Sequence, residues 1–310
     1  MGSISDTDTI SPAVNPLASH QAGITEAFAV LVLCTVVGFR VSRHVRFGVR
    51  LLGFVLIFLW ISVAGMAAAF YEKIVFNTNL LFLHKRTLSF LITTFSPYLF
   101  NVRYEIIEGE EYLTSERPCL FIMNHQSELD LLVLASFIPQ ETIVLAKDEF
   151  KKIPIIGTFM SMVRDIVFLK RQAHTTAIET MNQVGLIVKE RNAPVQLFPE
   201  GTRTYQTTND LLPFKKGGFH LAVGGQMPIV IIVAESYHSI YNLKNFWFEG
   251  GTIKLKVLPP IPTKGLTTAD VGPLAEKCRD EMLKTLVEIS QPPPSYAKPL
   301  KVPSSNKKHD

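Results

Sequence analysis

Cysteine is scarce in this 310-residue chain: Cys34, Cys119 and Cys278 are the only three. They are far apart and show neither a CxxC pair nor a Cys/His ligand spacing, so no disulfide framework, zinc site or other metal centre is implied. Charge is also sparse, 19% of residues with a net +4, and the basic residues fall in short clusters rather than one stripe. That pattern suits anionic head groups and phosphates better than a nucleic acid, and nucleic-acid binding is set aside. No GxSxG occurs, so the serine elbow of the hydrolases is missing. No internal repeat is visible. Residues 1–22 have no basic segment leading into an apolar run and no cleavage site, which excludes a typical secretory signal and leaves a loose tail.

Apolar residues, in contrast, make up 47% of the chain. Leu51 to Tyr71 is an uncharged run of 21 residues beside Arg40, Arg43, His44, Arg46 and Arg50. As a helix rising ~1.5 Å per residue, it is long enough to cross the ~30 Å hydrocarbon core of a bilayer. A buried core helix is the alternative, and the basic flank favours the membrane. Shorter apolar runs cover Ala27 to Phe39 and Leu88 to Phe100, the latter interrupted by Pro97. Residues 23–100 are therefore expected to form a membrane-anchoring region.

The pattern then changes. Strand-like runs at Cys119 to Met123, Thr142 to Ala146, Ile166 to Leu169, Val195 to Phe198, Pro228 to Ala234 and Thr252 to Leu258 alternate with helical stretches, of which Ala173 to Arg191 and Asp270 to Ile289 are amphipathic. This is the signature of one α/β domain, placed at residues 101–290, with its sites on loops at strand ends. Residues 291–310 are rich in Pro, Lys and Ser and form a second tail. It ends in KKHD, a short pattern resembling a dilysine signal for retrieval to the endoplasmic reticulum.

Two segments could carry chemistry. In FIMNHQSELD, His125 stands at the end of a strand and Asp130 near the start of the next helix. On a continuous helix the two side chains would point about 140° apart, so a bend must bring them together. A carboxylate on one ring nitrogen would fix the tautomer and leave the other free to take a hydroxyl proton; a purely structural histidine is the competing reading. In LFPEGTR, a proline, a glycine and an arginine follow another strand, making a turn whose arginine offers a fork of donors to phosphate. The competing reading is an ordinary turn in which Arg203 pairs with Glu200.

NHxxxxD followed by FPEGTR resembles the glycerolipid acyltransferase family. LLPFKKGGFHLAV and KVLPPIPTKGLT look most like its fungal 1-acyl-sn-glycerol-3-phosphate acyltransferase branch. The resemblance runs from about Leu51 to Leu286. It implies a twisted mixed sheet flanked by helices, with an N-terminal membrane-anchoring helix pair. It also implies His125 as general base, Asp130 as its partner, and Glu200, Gly201, Thr202 and Arg203 as the acceptor's glycerol-phosphate site, with Arg171 and Lys147 as further contacts. Asn124 and Ser127 shape the first block. The implied reaction moves a fatty acyl group from acyl-CoA to lysophosphatidic acid in a lipid bilayer, by direct transfer and with no cofactor. Another lysophospholipid or glycerol 3-phosphate as acceptor, and an idle lipid-binding protein of the same fold, are the alternatives.

The chain departs from the family pattern in DIVFLKR, where Asp165 replaces a glycine and Lys170 an aspartate, which puts the turn and charge near Arg171 in question. Ile231 stands where the fourth block, which begins at Pro228, usually has a second proline. Lys215 and Lys216 are either phosphate contacts or a solvated helix entry, Cys119 reads as core, and the His174/Glu179 pair reads as surface. Two full spans around a cytosolic Arg40 to Arg50 loop would put the site in the lumen, away from cytosolic acyl-CoA. A helix pair dipping in from the cytosolic face is the expected topology.

Overall fold

The structure is a computed structural model that describes residues 16–77, 82–163, 165–169, 177–205 and 208–292. Residues 1–15 of the first expected tail and 293–310 of the second, KKHD included, lie outside these residues, whereas 16–22, expected in the loose tail, belong to helix α1 (Pro16–Val41). Proline is at home in a first helical turn, where its missing N–H costs nothing. Ser42, in extended backbone, separates α1 from α2 (Arg43–Phe76). The latter ends at Asn77 in the left-handed conformation, a common helix stop. Helix α3 (Leu83–Leu99) completes the N-terminal layer.

The rest is an α/β unit. Its strands are β1 (Val102–Glu108), β2 (Leu120–Met123), β3 (Ile143–Lys147), β4 (Ile166–Leu169), β5 (Val195–Leu197), β6 (Ile229–Ala234), β7 (Tyr241–Asn242), β8 (Trp247–Phe248) and β9 (Gly251–Val257). The helices are α4 (Leu129–Phe137), α5 (Ile156–Met162), α6 (Ala177–Arg191), α7 (Gly217–Gly224) and α8 (Val271–Ile289). Seven strands form one sheet in the order β1-β9-β6-β2-β5-β3-β4, and β7 and β8 form a separate hairpin. Neighbours pair in parallel except β6 with β9, which are antiparallel. The expected mixed sheet is therefore present, with β1 and β9 running against the other five strands.

The central strands β2 and β6 are buried along their whole length, which is why they read as unbroken apolar runs. Their side chains alternate between two cores. Phe121, Met123, Val230 and Ile232 face a layer that includes α4 and the buried stripes of α2 and α3. Leu120, Ile122, Ile229, Ile231 and Val233 face α6, α7 and α8. Ile231 thus fills a central strand position, where a second proline would end the apolar packing.

Helix α2 is packed against the catalytic unit at several points. Arg46 makes a 2.9 Å ion pair with Glu249, Arg50 bonds the Phe248 carbonyl, and Ile57 and Ile61 are buried. Gly65 lies so close to α5 that a Cβ there would sit 2.5 Å from the Phe159 ring. The opposite face of α2 exposes Leu52, Leu56, Trp60, Val63 and Phe70, and α1 exposes Phe28, Leu31, Leu33, Val36 and Val37. At 34 residues and strongly apolar, α2 is long enough to cross a membrane.

Candidate active site

Strands β6, β2 and β5 lie side by side and parallel, so the segments leaving their C-terminal ends share one edge of the sheet, where open α/β sheets place their sites. His125 leaves β2, Glu200 to Arg203 follow β5, and Glu235 follows β6.

The bend required between His125 and Asp130 is present. Residues Asn124 to Glu128 run as a loop, α4 starts at Leu129, and Asp130 turns back from its first turn. Asp130 Oδ2 lies 2.6 Å from His125 Nδ1 and accepts the backbone N–H groups of Gln126 and Ser127 at 2.8 and 3.1 Å. Asp130 is fully buried, and the His125 side chain retains 19% exposure. The imidazole stacks on Phe198, with centroids 3.8 Å apart and planes within 13°. Held at Nδ1 and along one face, the ring has Nε2 without a hydrogen-bond partner among the described residues. The buried Tyr237 phenol lies beside Asp130, and burial together with that carboxylate holds it far above its usual pKa.

Asn124 pairs its side-chain amide with both the N–H and C=O of Ala234, and Gln126 bonds the Glu235 carbonyl and the Tyr237 N–H. These amides sew the His125 loop to the end of β6. Ser127 accepts the Leu129 N–H, a local turn contact.

Glu200, which the resemblance assigns to acceptor binding, is engaged within the protein. Its Oε1 accepts the His125 backbone N–H at 2.7 Å and its Oε2 the Leu212 N–H at 3.0 Å. It is a buried strut between the two loops, and burial raises its pKa from 4.5 to about 7 against the pull of those two N–H donors. Gly201 adopts φ +69°, and a Cβ there would meet the end of the Lys215 side chain at 2.6 Å. A side chain at this turn would therefore be strained and would displace Lys215. Thr202 is exposed, and it is Thr204 that bonds the His125 carbonyl, through its N–H at 3.0 Å. Tyr205 N–H bonds the Gln126 carbonyl at 2.9 Å, continuing the contact between the loops.

Arg203 does not pair with Glu200; its Nη1 lies 2.5 Å from Glu128 Oε1, and its side chain is 41% exposed. Lys147 is exposed at the C-terminal end of β3, on the same sheet edge as His125 but not hydrogen-bonded to it. Arg171, Lys170 and His174 lie outside the described residues. Asp165 sits at the other end of β4 and accepts from His84 at 2.8 Å and Lys85 at 2.7 Å. The altered DIVFLKR motif therefore spends its carboxylate on α3, at the edge of the sheet opposite His125. Of the two lysines, Lys215 lies against the Gly201 turn while Lys216 reaches toward Gly272. Cys119 is buried, which pushes its thiol up to about 12 and suits a core residue. Among the described residues, no three His, Cys, Asp or Glu side chains converge as metal ligands.

The Acyltransferase family model matches residues 106–235, which contain both loops. The Homo sapiens protein named 1-acyl-sn-glycerol-3-phosphate acyltransferase beta is 39% identical over 196 residues, 63% of this chain and 69% of that protein. This chain belongs to the 1-acyl-sn-glycerol-3-phosphate acyltransferase family. A Saccharomyces cerevisiae member is 40% identical over 187 residues, 60% of this chain and 61% of its own length. The solved 1-acyl-sn-glycerophosphate (LPA) acyltransferase of Thermotoga maritima shares the fold, with a TM-score of 0.60 at 20% identity, over 78% of this chain and 94% of that one.

Residues that sequence patterns did not single out complete this family member's site. Phe198 was assigned to a strand, yet its ring backs His125. Glu128 was one of four unspecified residues inside NHxxxxD, yet it meets Arg203, Tyr205 and Tyr241. The period of the motif gave no signal for either.

Proposed function

We propose that this enzyme transfers a fatty acyl group from acyl-CoA to the sn-2 hydroxyl of 1-acyl-sn-glycerol 3-phosphate, lysophosphatidic acid, giving phosphatidic acid and CoA. The observation that carries this reading is the buried Asp130 carboxylate 2.6 Å from His125 Nδ1, with the opposite ring nitrogen open and a half-exposed arginine on the adjoining loop.

His125 Nε2 takes the acceptor's hydroxyl proton while the oxygen attacks the thioester carbonyl. The tetrahedral adduct collapses by breaking the C–S bond, and the imidazolium returns the proton to the departing thiolate. Asp130 keeps Nδ1 protonated and stabilises the transient imidazolium. A positioned base contributes about 10²- to 10⁴-fold, and orientation of the acceptor supplies much of the rest. Arg203 suits the acceptor's phosphate because a guanidinium has N–H donors to spare beyond the one facing Glu128. Lys147, Lys215 and Arg171 are the further cations proposed near the donor or acceptor phosphates.

Long acyl chains keep both substrates in or near a bilayer, since each buried CH₂ is worth ~0.8 kcal/mol. The exposed apolar faces of α1 and α2 are the proposed membrane contact, being far larger than the scattered apolar residues of an ordinary surface. Because α2 is also tied to the catalytic unit at Glu249, Phe248 and Phe159, insertion into one leaflet with the site at the same surface fits better than a span leading away from the domain. The cytosolic face of the endoplasmic reticulum is the proposed location, on the strength of the KKHD terminus and the cytosolic donor; lipid droplets offer the same kind of surface.

The test is release of free CoA and formation of phosphatidic acid in membranes carrying wild type or His125→Ala, supplied with oleoyl-CoA and lysophosphatidic acid, glycerol 3-phosphate or lysophosphatidylcholine. Activity confined to lysophosphatidic acid and lost in the variant is the expected result. Preference for another acceptor would reassign the substrate, and activity untouched by the substitution would remove His125 as the base.

A further inference from the structure

Glu128 lies three residues beyond His125 on the same loop, at the mouth of α4. Its Oε1 accepts from Arg203 Nη1 and from the Tyr205 hydroxyl, each at 2.5 Å, and its Oε2 accepts from the Tyr241 hydroxyl at 3.3 Å. The ring of Tyr205 in turn lies under Arg203, 5.3 Å from the guanidinium carbon, and 5.9 Å from Lys244 Nζ. One carboxylate thus gathers a donor from β7 and two from the loop after β5, on the loop that carries the base. It complements Glu200, which ties the same two loops from the buried side.

We infer that Glu128 is a positioning residue for the acceptor's phosphate: it grips one corner of the Arg203 guanidinium and turns the remaining N–H edge toward the incoming phosphomonoester. This rests on the reading of Arg203 as the phosphate contact given above. A carboxylate that merely competed with phosphate would take the guanidinium through two parallel bonds. Here Nη1 alone is engaged, and the two tyrosine hydroxyls hold Glu128 in place without help from Arg203. The Nε and Nη2 donors are left to form the bidentate fork that phosphate prefers. Arg203 is thereby ordered before substrate arrives, so its side-chain entropy is not lost during binding.

The test compares wild type, Glu128→Gln, Glu128→Ala, Arg203→Ala and the Glu128→Ala/Arg203→Ala double variant of the full chain, each assayed for kcat, KM for lysophosphatidic acid and thermal unfolding. Losing the ordering of one rotamer-rich side chain should raise KM about three- to tenfold in Glu128→Ala, with kcat within about twofold of wild type. Glu128→Gln, which keeps an acceptor but not the charge, should fall between. In the Arg203→Ala background the Glu128 substitution should add nothing to KM, as expected of a residue that acts through Arg203. A lower or unchanged KM in Glu128→Ala while Arg203→Ala raises it would overturn the inference, as would an equal cost of Glu128→Ala with and without Arg203. An Arg203→Ala enzyme with wild-type KM would instead remove the phosphate reading beneath it.

Discussion

Glu200 makes the stability of this enzyme depend on pH in a direction opposite to that of most paired carboxylates. It is 3% exposed, and burial raises its pKa from 4.5 to about 7 although two backbone N–H groups pull the other way. The folded chain therefore holds this proton more tightly than the unfolded chain does. Its stabilising contribution is complete below about 4.5, is lost as pH rises toward about 7, and stays lost above that. At ~1.4 kcal/mol per pH unit the interval amounts to about 3 kcal/mol, and near-complete burial leaves little solvent screening to reduce it.

Glu200→Gln isolates the effect, since the amide cannot titrate. One end of the glutamine must oppose either the His125 or the Leu212 N–H, a penalty that is the same at every pH. Other carboxylates titrate alike in both proteins, so the difference between the two melting curves belongs to Glu200. Between pH 5 and 7.5, wild type should lose about 5 to 10 °C relative to the variant, taking ~2–4 °C per kcal/mol for a domain of this size. Parallel curves would refute the reasoning. A wild type that gained on the variant with rising pH would show that the two N–H donors outweigh burial and keep the carboxylate ionised.

Asp130→Asn should lower kcat by about 10³-fold with little change in KM, because ~4 kcal/mol of attraction on the imidazolium is lost at an effective dielectric near 20; a loss under about threefold would deny the carboxylate its role. Asp165→Asn should destabilise the fold by about 3–5 kcal/mol by leaving His84 and Lys85 without their buried partner, while specific activity of the folded fraction holds; calorimetry and assay of the same sample check both. Gly65→Leu should cost about 1–3 kcal/mol by forcing α2 off Phe159, read as a lower melting temperature and earlier proteolysis between the helical layer and the sheet.

How much of this was legible in advance depended on whether the signal was local. Strands β2 to β6 announced themselves because each is an apolar run bounded by turns, and α8 because its buried residues Val271, Leu274, Cys278, Met282 and Leu286 recur at helical spacing. Strand β1 was not assigned, since as an edge strand it interleaves Val102, Tyr104 and Ile106 with Arg103, Glu105 and Glu108. Such charges blunt an edge against unwanted pairing and at the same time dilute the apolar pattern. His125, Asp130 and Arg203 were visible as a motif, whereas the contacts of Glu200 with His125 and of Glu128 with Arg203 were not, because each crosses between loops 75 positions apart in sequence.

Asp165 carries the same lesson from the opposite side. Seen in sequence, an acidic residue replacing a glycine five positions before Lys170 threatened the charge near Arg171. In the fold, Asp165 sits at the start of the four-residue strand β4, and His84 and Lys85 absorb its carboxylate there. This carboxylate thus joins α3 to the edge of the catalytic sheet. Specific polar joints, at Asp165 on one flank and Glu249 on the other, add to the apolar packing of Ile57, Ile61, Leu91 and Ile92 in fixing the helix layer against the catalytic sheet.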